Sequence, residues 1–263
     1  TTPNGEWIIT FNGEIFNYRG LRKDLKLLGY NFVTNSDTEV VLAAFQQYGA
    51  DCLNLFRGFF SFVIFNTRTK EVFAARDRFG MKPFYYVMLD DLIIFCSEIR
   101  PLYQTGLISF EPNIKHFNEY LIFGYIAGEE TFHRHVKELN PAHYLTVSKN
   151  KPNLKRYWYN YNQDELSFQR EEDLIDELGK GIKEAIMLWT TADVEVASFL
   201  SGFNSAFLQG SLQKGGRNSF ILTAELSDLP LLLPNGPGVP FFWPFAIKNR
   251  HAVLDRLHRL RVF

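Results

Sequence analysis

Two apolar strand pairs in tandem constrain this chain more than any other feature. Phe59–Phe65 and Val72–Ala75 are β-branched and aromatic runs flanking a polar turn at Thr67–Lys70. Phe84–Leu89 and Leu92–Ser97 repeat the pattern around Asp90-Asp91. Links this short join antiparallel neighbours, because a parallel crossover needs a dozen residues or more. Any fold must therefore accommodate meandering antiparallel sheet.

The flanking segments are helical or extended in an order that narrows the class further. Trp7–Phe11 reads as a buried strand ended by Asn12-Gly13. From Tyr18 the apolar period lengthens, with Leu21, Leu25 and Leu28 on one helix face and Gly29 as its stop. Ser36 and Glu39 have the spacing of a capping box at the start of a second helix. That helix turns Val40, Val41, Ala44 and Phe45 inward and stops at Gly49. Lys115–Phe123 reads as a helix and His143–Val147 as a strand. Helices grouped with paired strands predict an α+β layered fold.

Lys, Pro and clustered aromatics place a domain boundary near Asn150–Tyr159. Beyond it an amphipathic helix runs from Glu171 to about Leu188, followed by an apolar strand over Val194–Leu200 and then Ser201-Gly202. Five of the chain's 11 prolines fall between Pro230 and Pro244, so that stretch continues neither a helix nor a central strand.

Charge and cysteine content exclude several functions. With 28 basic and 29 acidic residues the net charge is −1, which leaves no electrostatic footprint for nucleic acid. The longest apolar runs fall short of a membrane span, and no charged start followed by an apolar run opens the sequence. Two cysteines, Cys52 and Cys96, make neither a disulfide framework nor a metal cluster; both sit in apolar surroundings as small core residues. A cytoplasmic setting is expected.

Three segments could carry chemistry. After the first strand, the Asn12 amide and the Gly13 N–H are two donors suited to a developing oxyanion, with the Glu14 carboxylate beside them. By itself Asn-Gly is equally a turn. Asp37, at the mouth of a helix, could hold a substrate ammonium, or the Ser36-Asp37 pair could serve capping alone. The Arg76–Pro83 loop could hold an anion or a neighbouring domain, or form a rigid turn with internal ion pairs; Ser97-Glu98 closes a strand or caps the next helix.

Taken in order, FNGEIFNY, SDTEV, RGFFSFVIFN, ARDRFGMKPFYY and FCSEIRPL resemble the glutaminase domain of asparagine synthetases, class II glutamine amidotransferases. FGYIAGEETF, LNPAHYL and RYW continue the likeness, which covers roughly residues 5–225. The resemblance implies the N-terminal-nucleophile hydrolase fold, a four-layer αββα sandwich incomplete at its N-terminus, followed by the start of an α/β nucleotide-binding-like domain. It divides the chain into a glutaminase domain over 1–160, the beginning of an ATP-pyrophosphatase domain over 161–228, and an aberrant Pro-rich tail over 229–263 that a shifted reading frame would explain.

By the same resemblance Asn12 and Gly13 form the oxyanion hole, and Asn12, Glu14 and Asp37 bind glutamine, the two carboxylates taking its α-amino group; Asn17 and Tyr18 are structural. The family's nucleophile is a Cys at the mature N-terminus, upstream of this strand, and neither Cys52, Cys96 nor Thr1 is expected to replace it. Where the family reads Ser-Gly-Gly-x-Asp-Ser-Ser, this chain reads Ser201-Gly202-Phe203-Asn204-Ser205-Ala206. ATP and Mg, the family's cofactors, are therefore not expected to serve this chain, and Ser201, Gly202, Asn204 and Ser205 mark a degenerate phosphate loop. The expected function is glutamine hydrolysis supplying ammonia to amidate aspartate, with this chain inactive as written. The alternatives are a silent glutamine-binding homologue and a truncated product without function. A homodimer is the implied assembly.

Overall fold

A computed structural model describes residues 1–89, 92–148, 151–159 and 170–189 and the strand residues 196–200 and 219–223. The chain divides into two compact units, Thr1–Glu165 and Leu166–Phe263.

In the first unit, β1 (Trp7–Ile15) precedes α1 (Tyr18–Leu27), α2 (Asp37–Tyr48) and the short α3 (Cys52–Leu55). Then come β2 (Gly58–Asn66), β3 (Val72–Arg76), β4 (Tyr85–Met88), β5 (Ile93–Cys96) and α4 (Arg100–Gln104). A short helix α5 (Phe117–Phe123) is followed by β6 (Lys137–Glu138), β7 (His143–Ser148) and β8 (Lys151–Arg156). The expected antiparallel pairs form: β2 with β3, and β4 with β5. They belong to different sheets, one ordered β1-β2-β3-β7-β8 and the other β5-β4-β6.

The register distributes side chains cleanly. Alternation along the strands places Ile15, Phe60, Phe62, Ile64, Phe73 and Ala75 on one face of the large sheet, packed with Leu25 of α1, Val40, Val41 and Ala44 of α2 and Leu53 and Phe56. Each buried Phe there contributes about 1.5–3 kcal/mol. The opposite face presents Ala74, Leu145 and Val147 to Phe84 and Tyr86, and Val87 on the far side of the smaller sheet packs with Leu102 of α4. Both sheets therefore bury two faces, as an α+β fold requires.

Several expectations are corrected in detail. The first strand does not end at Asn12-Gly13 but continues to Ile15, because Asn12, Gly13 and Glu14 keep their pairing with Ser61, Phe60 and Phe59. The helix expected from Lys115 begins at Phe117, after a 3-10 turn at Ile114–His116. The capping box is half formed: Ser36 accepts the Thr38 N–H at 3.2 Å, but Glu39 reaches past it to Val33 and Thr34. Ser97-Glu98 does not cap α4, whose N-cap is Ile99 without a side-chain bond. Within the segment expected to hold the domain boundary, β8 is an edge strand that tolerates Pro152. The Asp90-Asp91 turn and the Pro-rich tail lie outside the described residues.

In the second unit, α6 (Glu171–Trp189) is followed by β9 (Val196–Leu200) and β10 (Ser219–Thr223), which pair in parallel. Among the described residues no helix is long and apolar enough to cross a membrane.

Candidate active site

Among the described residues β1 is an edge strand, and at its end the Gly13 and Ile15 amides aim away from the sheet. Phe60 exchanges both backbone bonds with Asp77 across from β1: its C=O accepts the Asp77 N–H at 2.8 Å, and its N–H donates to the Asp77 carboxylate at 3.3 Å. A strand residue points both groups to one side, so Gly13, opposite Phe60, forms a pair without mutual hydrogen bonds. The Gly13 N–H therefore points away from β2. The Ile15 N–H, two residues on and roughly 7 Å away along the strand, points the same way and donates to Asp37 Oδ2 at 3.0 Å.

Glycine is required at position 13 by the closeness of β2. A Cβ there would meet the Phe59 carbonyl at 2.1 Å, and φ is +153°. Gly58 answers it across the ladder, where a Cβ would meet the Glu14 carbonyl at 2.1 Å. The two strands approach as closely as they do because neither position carries a side chain.

Asp37 comes to this edge from α2, and Glu14 precedes the residue whose amide Asp37 holds. Asn12 and Glu14 share the face opposite α1 and α2, where Asn12 is exposed and Glu14 half-buried. One strand end thus gathers an outward Gly13 amide, the Asn12 side chain and the Glu14 and Asp37 carboxylates. Asn17 is structural as expected: its amide donates to Leu55 O at 2.9 Å, and its oxygen accepts the Arg57 N–H at 3.0 Å.

The Arg76–Pro83 loop satisfies itself. The buried Asp77 carboxylate accepts the N–H groups of Phe79, Met81 and Lys82 at 3.0–3.1 Å besides that of Phe60. Arg76 donates to Lys82 O and Gly80 O within the loop, and to Leu139 O and the Glu138 carboxylate outside it. This is the rigid turn among the readings its sequence allowed, with the ion pair reaching β6 rather than closing within the loop.

Neither thiol is prepared for attack. Burial pushes the Cys52 thiol up to about 12, and Cys52 packs in the core below α2. Burial also raises Cys96, which packs at the far side of the smaller sheet. Among the described residues no group of His, Cys, Asp and Glu could hold a metal ion.

Sequence reasoning missed the arrangement that carries Asp37. The Arg22 guanidinium donates to Thr34 O and to Ser36 O, the latter at 2.6 Å. Glu39 accepts the N–H groups of Val33 and Thr34, each at 2.8 Å, and the Thr34 hydroxyl. Burial opposes the charge on Glu39, but these bonds and the Arg22 charge outweigh it and hold the carboxyl below the usual carboxylate range. Of this only Glu39 carried a sequence signal, as a capping residue. Ser201, Gly202, Asn204 and Ser205 lie outside the described residues.

An antiparallel α+β scaffold with outward amides and carboxylates at one strand end is suited to amide chemistry, and the chain belongs to the glutamine amidotransferase domain family, matched over residues 1–158. Its relatives include glutamine-hydrolysing asparagine synthetases, as the ordered motifs implied. It is 35% identical to asparagine synthetase 1 of Bacillus subtilis over 77% of this chain and 32% of that protein. It is 33% identical to asparagine synthetase 3 of the same organism, over 77% of this chain and 33% of that protein. The chain spans about a third of the length of these curated relatives. Among solved structures, a glutamine phosphoribosylpyrophosphate amidotransferase from B. subtilis aligns with 84% of this chain and 46% of its own, at 19% identity and a TM-score of 0.45.

Proposed function

We propose that the first unit is the glutamine site of an asparagine-synthetase-type amidotransferase, built on a four-layer N-terminal-nucleophile hydrolase scaffold. The observation that carries this is the open end of β1, where the outward Gly13 amide lies beside the Asp37–Ile15 contact. In this reading Glu14 and Asp37 receive the α-ammonium of glutamine. Attack on the side-chain amide pushes charge onto its carbonyl oxygen, where the Gly13 N–H and the Asn12 amide stabilise it. Expulsion of ammonia then leaves an acyl intermediate for water to cleave.

The attacking thiolate is not one of the two cysteines of this sequence, since burial keeps Cys52 protonated and Cys96 packs elsewhere. Residues 1–263 therefore bind glutamine without turning it over. In the whole protein the ammonia would amidate aspartate with ATP and Mg in a second domain, and the protein would pair as a homodimer. The parallel strands β9 and β10 support a nucleotide-domain reading of the second unit, since parallel pairing belongs to α/β folds. With Phe203 and Asn204 in place of the family's Gly and Asp, residues 201–206 do not fit a phosphate-binding loop.

Isothermal titration tests the binding. The chain should bind glutamine, and Asp37→Asn should weaken it by roughly ten-fold, as expected for one charge-assisted contact. Absence of binding refutes the pocket. Steady glutamate release above a heat-killed control refutes the silence of this chain.

A further inference from the structure

Asp37 holds its place at the edge of β1 through a loop with little packing of its own. Between α1 and α2, Val33 is 87% exposed, and Thr34, Asn35 and Ser36 are exposed as well. An exposed turn of this kind has several backbone states open to it. Here two side chains from opposite helices grip it. Glu39 of α2 takes the Val33 and Thr34 amides, while Arg22 of α1 takes the Thr34 and Ser36 carbonyls. The loop is thus held through two of its N–H groups by Glu39 and through two of its C=O groups by Arg22.

Arg22 is built in for this contact. Its guanidinium lies over the Phe32 ring at 4.8 Å and over the Tyr18 ring at 5.8 Å, so the plane of the fork is set before it meets the loop. Among the described residues its Nε is buried without a hydrogen-bond partner. The side chain is oriented by its two terminal nitrogens, which take both loop carbonyls. Ser36 O, which one of them holds, belongs to the peptide that leads directly into Asp37. A lysine would place a compact charge there without the planar fork that meets two carbonyls from separate nitrogens.

We propose that Arg22 is a positioning residue for substrate recognition: by fixing the Thr34–Ser36 turn it sets the Asp37 carboxylate where the α-ammonium of glutamine is received. The inference rests on the glutamine reading given above. Arg22 does not touch the ligand, and its effect is confined to the ammonium end of the substrate.

The experiment compares wild type, Arg22→Met and Arg22→Lys, each titrated calorimetrically with glutamine and with glutaramate, which keeps the carboxylate and the amide but lacks the α-amino group. Arg22→Met should weaken glutamine by roughly ten-fold and glutaramate by less than about two-fold, with Arg22→Lys between. Hydrogen exchange supplies a ligand-free readout: the Ile15 amide should exchange faster in Arg22→Met while the central amides of β2 keep wild-type protection. Unchanged glutamine affinity, equal loss of both ligands, or unchanged Ile15 exchange overturns the positioning role. If wild type binds no glutamine, the site reading itself fails and the inference falls with it; if wild type binds and the variants match it, only the inference fails.

Discussion

Replacing Gly13 with alanine would force a methyl group into the β1–β2 ladder. The new Cβ would lie 2.1 Å from the Phe59 carbonyl oxygen and 2.7 Å from the Phe60 Cα, where ordinary contact begins at 3.4 Å. Relieving the first collision alone needs a separation of about 1.3 Å, the difference between those contact distances, which stretches the neighbouring ladder bonds past useful length. Two such bonds are worth about 1 kcal/mol each, and φ of +153° adds about 1–3 kcal/mol for a residue with a side chain. The sum is about 3–5 kcal/mol, or roughly 6–20 °C in Tm for a unit of this size. Gly58→Ala is the internal control, since its Cβ meets the Glu14 carbonyl at the same 2.1 Å without the left-handed φ. It should cost about 1–3 kcal/mol less. Calorimetry with urea unfolding measures both. A Gly13→Ala cost below about 0.5 kcal/mol, or a larger cost for Gly58→Ala, would refute the close approach as the reason for glycine.

Asp77→Ala removes the acceptor of four amides, those of Phe60, Phe79, Met81 and Lys82, and should destabilise the first unit by at least about 3 kcal/mol in urea unfolding. Asp77→Asn, which keeps one acceptor oxygen, should cost less; equal costs would mean that the charge and not the bonds holds the loop. The pH dependence of stability should carry the signature of Glu39. Because folding lowers its pKa, its contribution is complete above the unfolded value of about 4.3 and is lost as pH falls through the lower folded value. Glu39→Gln should therefore flatten the stability curve below about pH 4.3, and an unchanged acid limb would show that the Val33 and Thr34 bonds contribute nothing.

Much of this protein was legible from local pattern. Hairpin runs and capped helices sufficed for an α+β fold, since strand alternation and helical period are properties of neighbouring residues. The ordered motifs sufficed for the family. Local pattern could not say that β1 runs on through Asn12-Gly13, because an Asn-Gly pair is a turn unless a partner strand holds it extended. Phe59, Phe60 and Ser61, nearly fifty residues away, do so. Nor could it orient the Gly13 amide: that direction follows from Asp77 taking the bonds of Phe60 on the other side. Ser36 and Glu39 spelled a capping box, but with Arg22 holding the same turn from α1, Glu39 serves Val33 and Thr34 instead. Residue types and their order came from the sequence alone, whereas the direction of an amide and the partner of a carboxylate depend on groups far along the chain, and only tertiary packing brings those together.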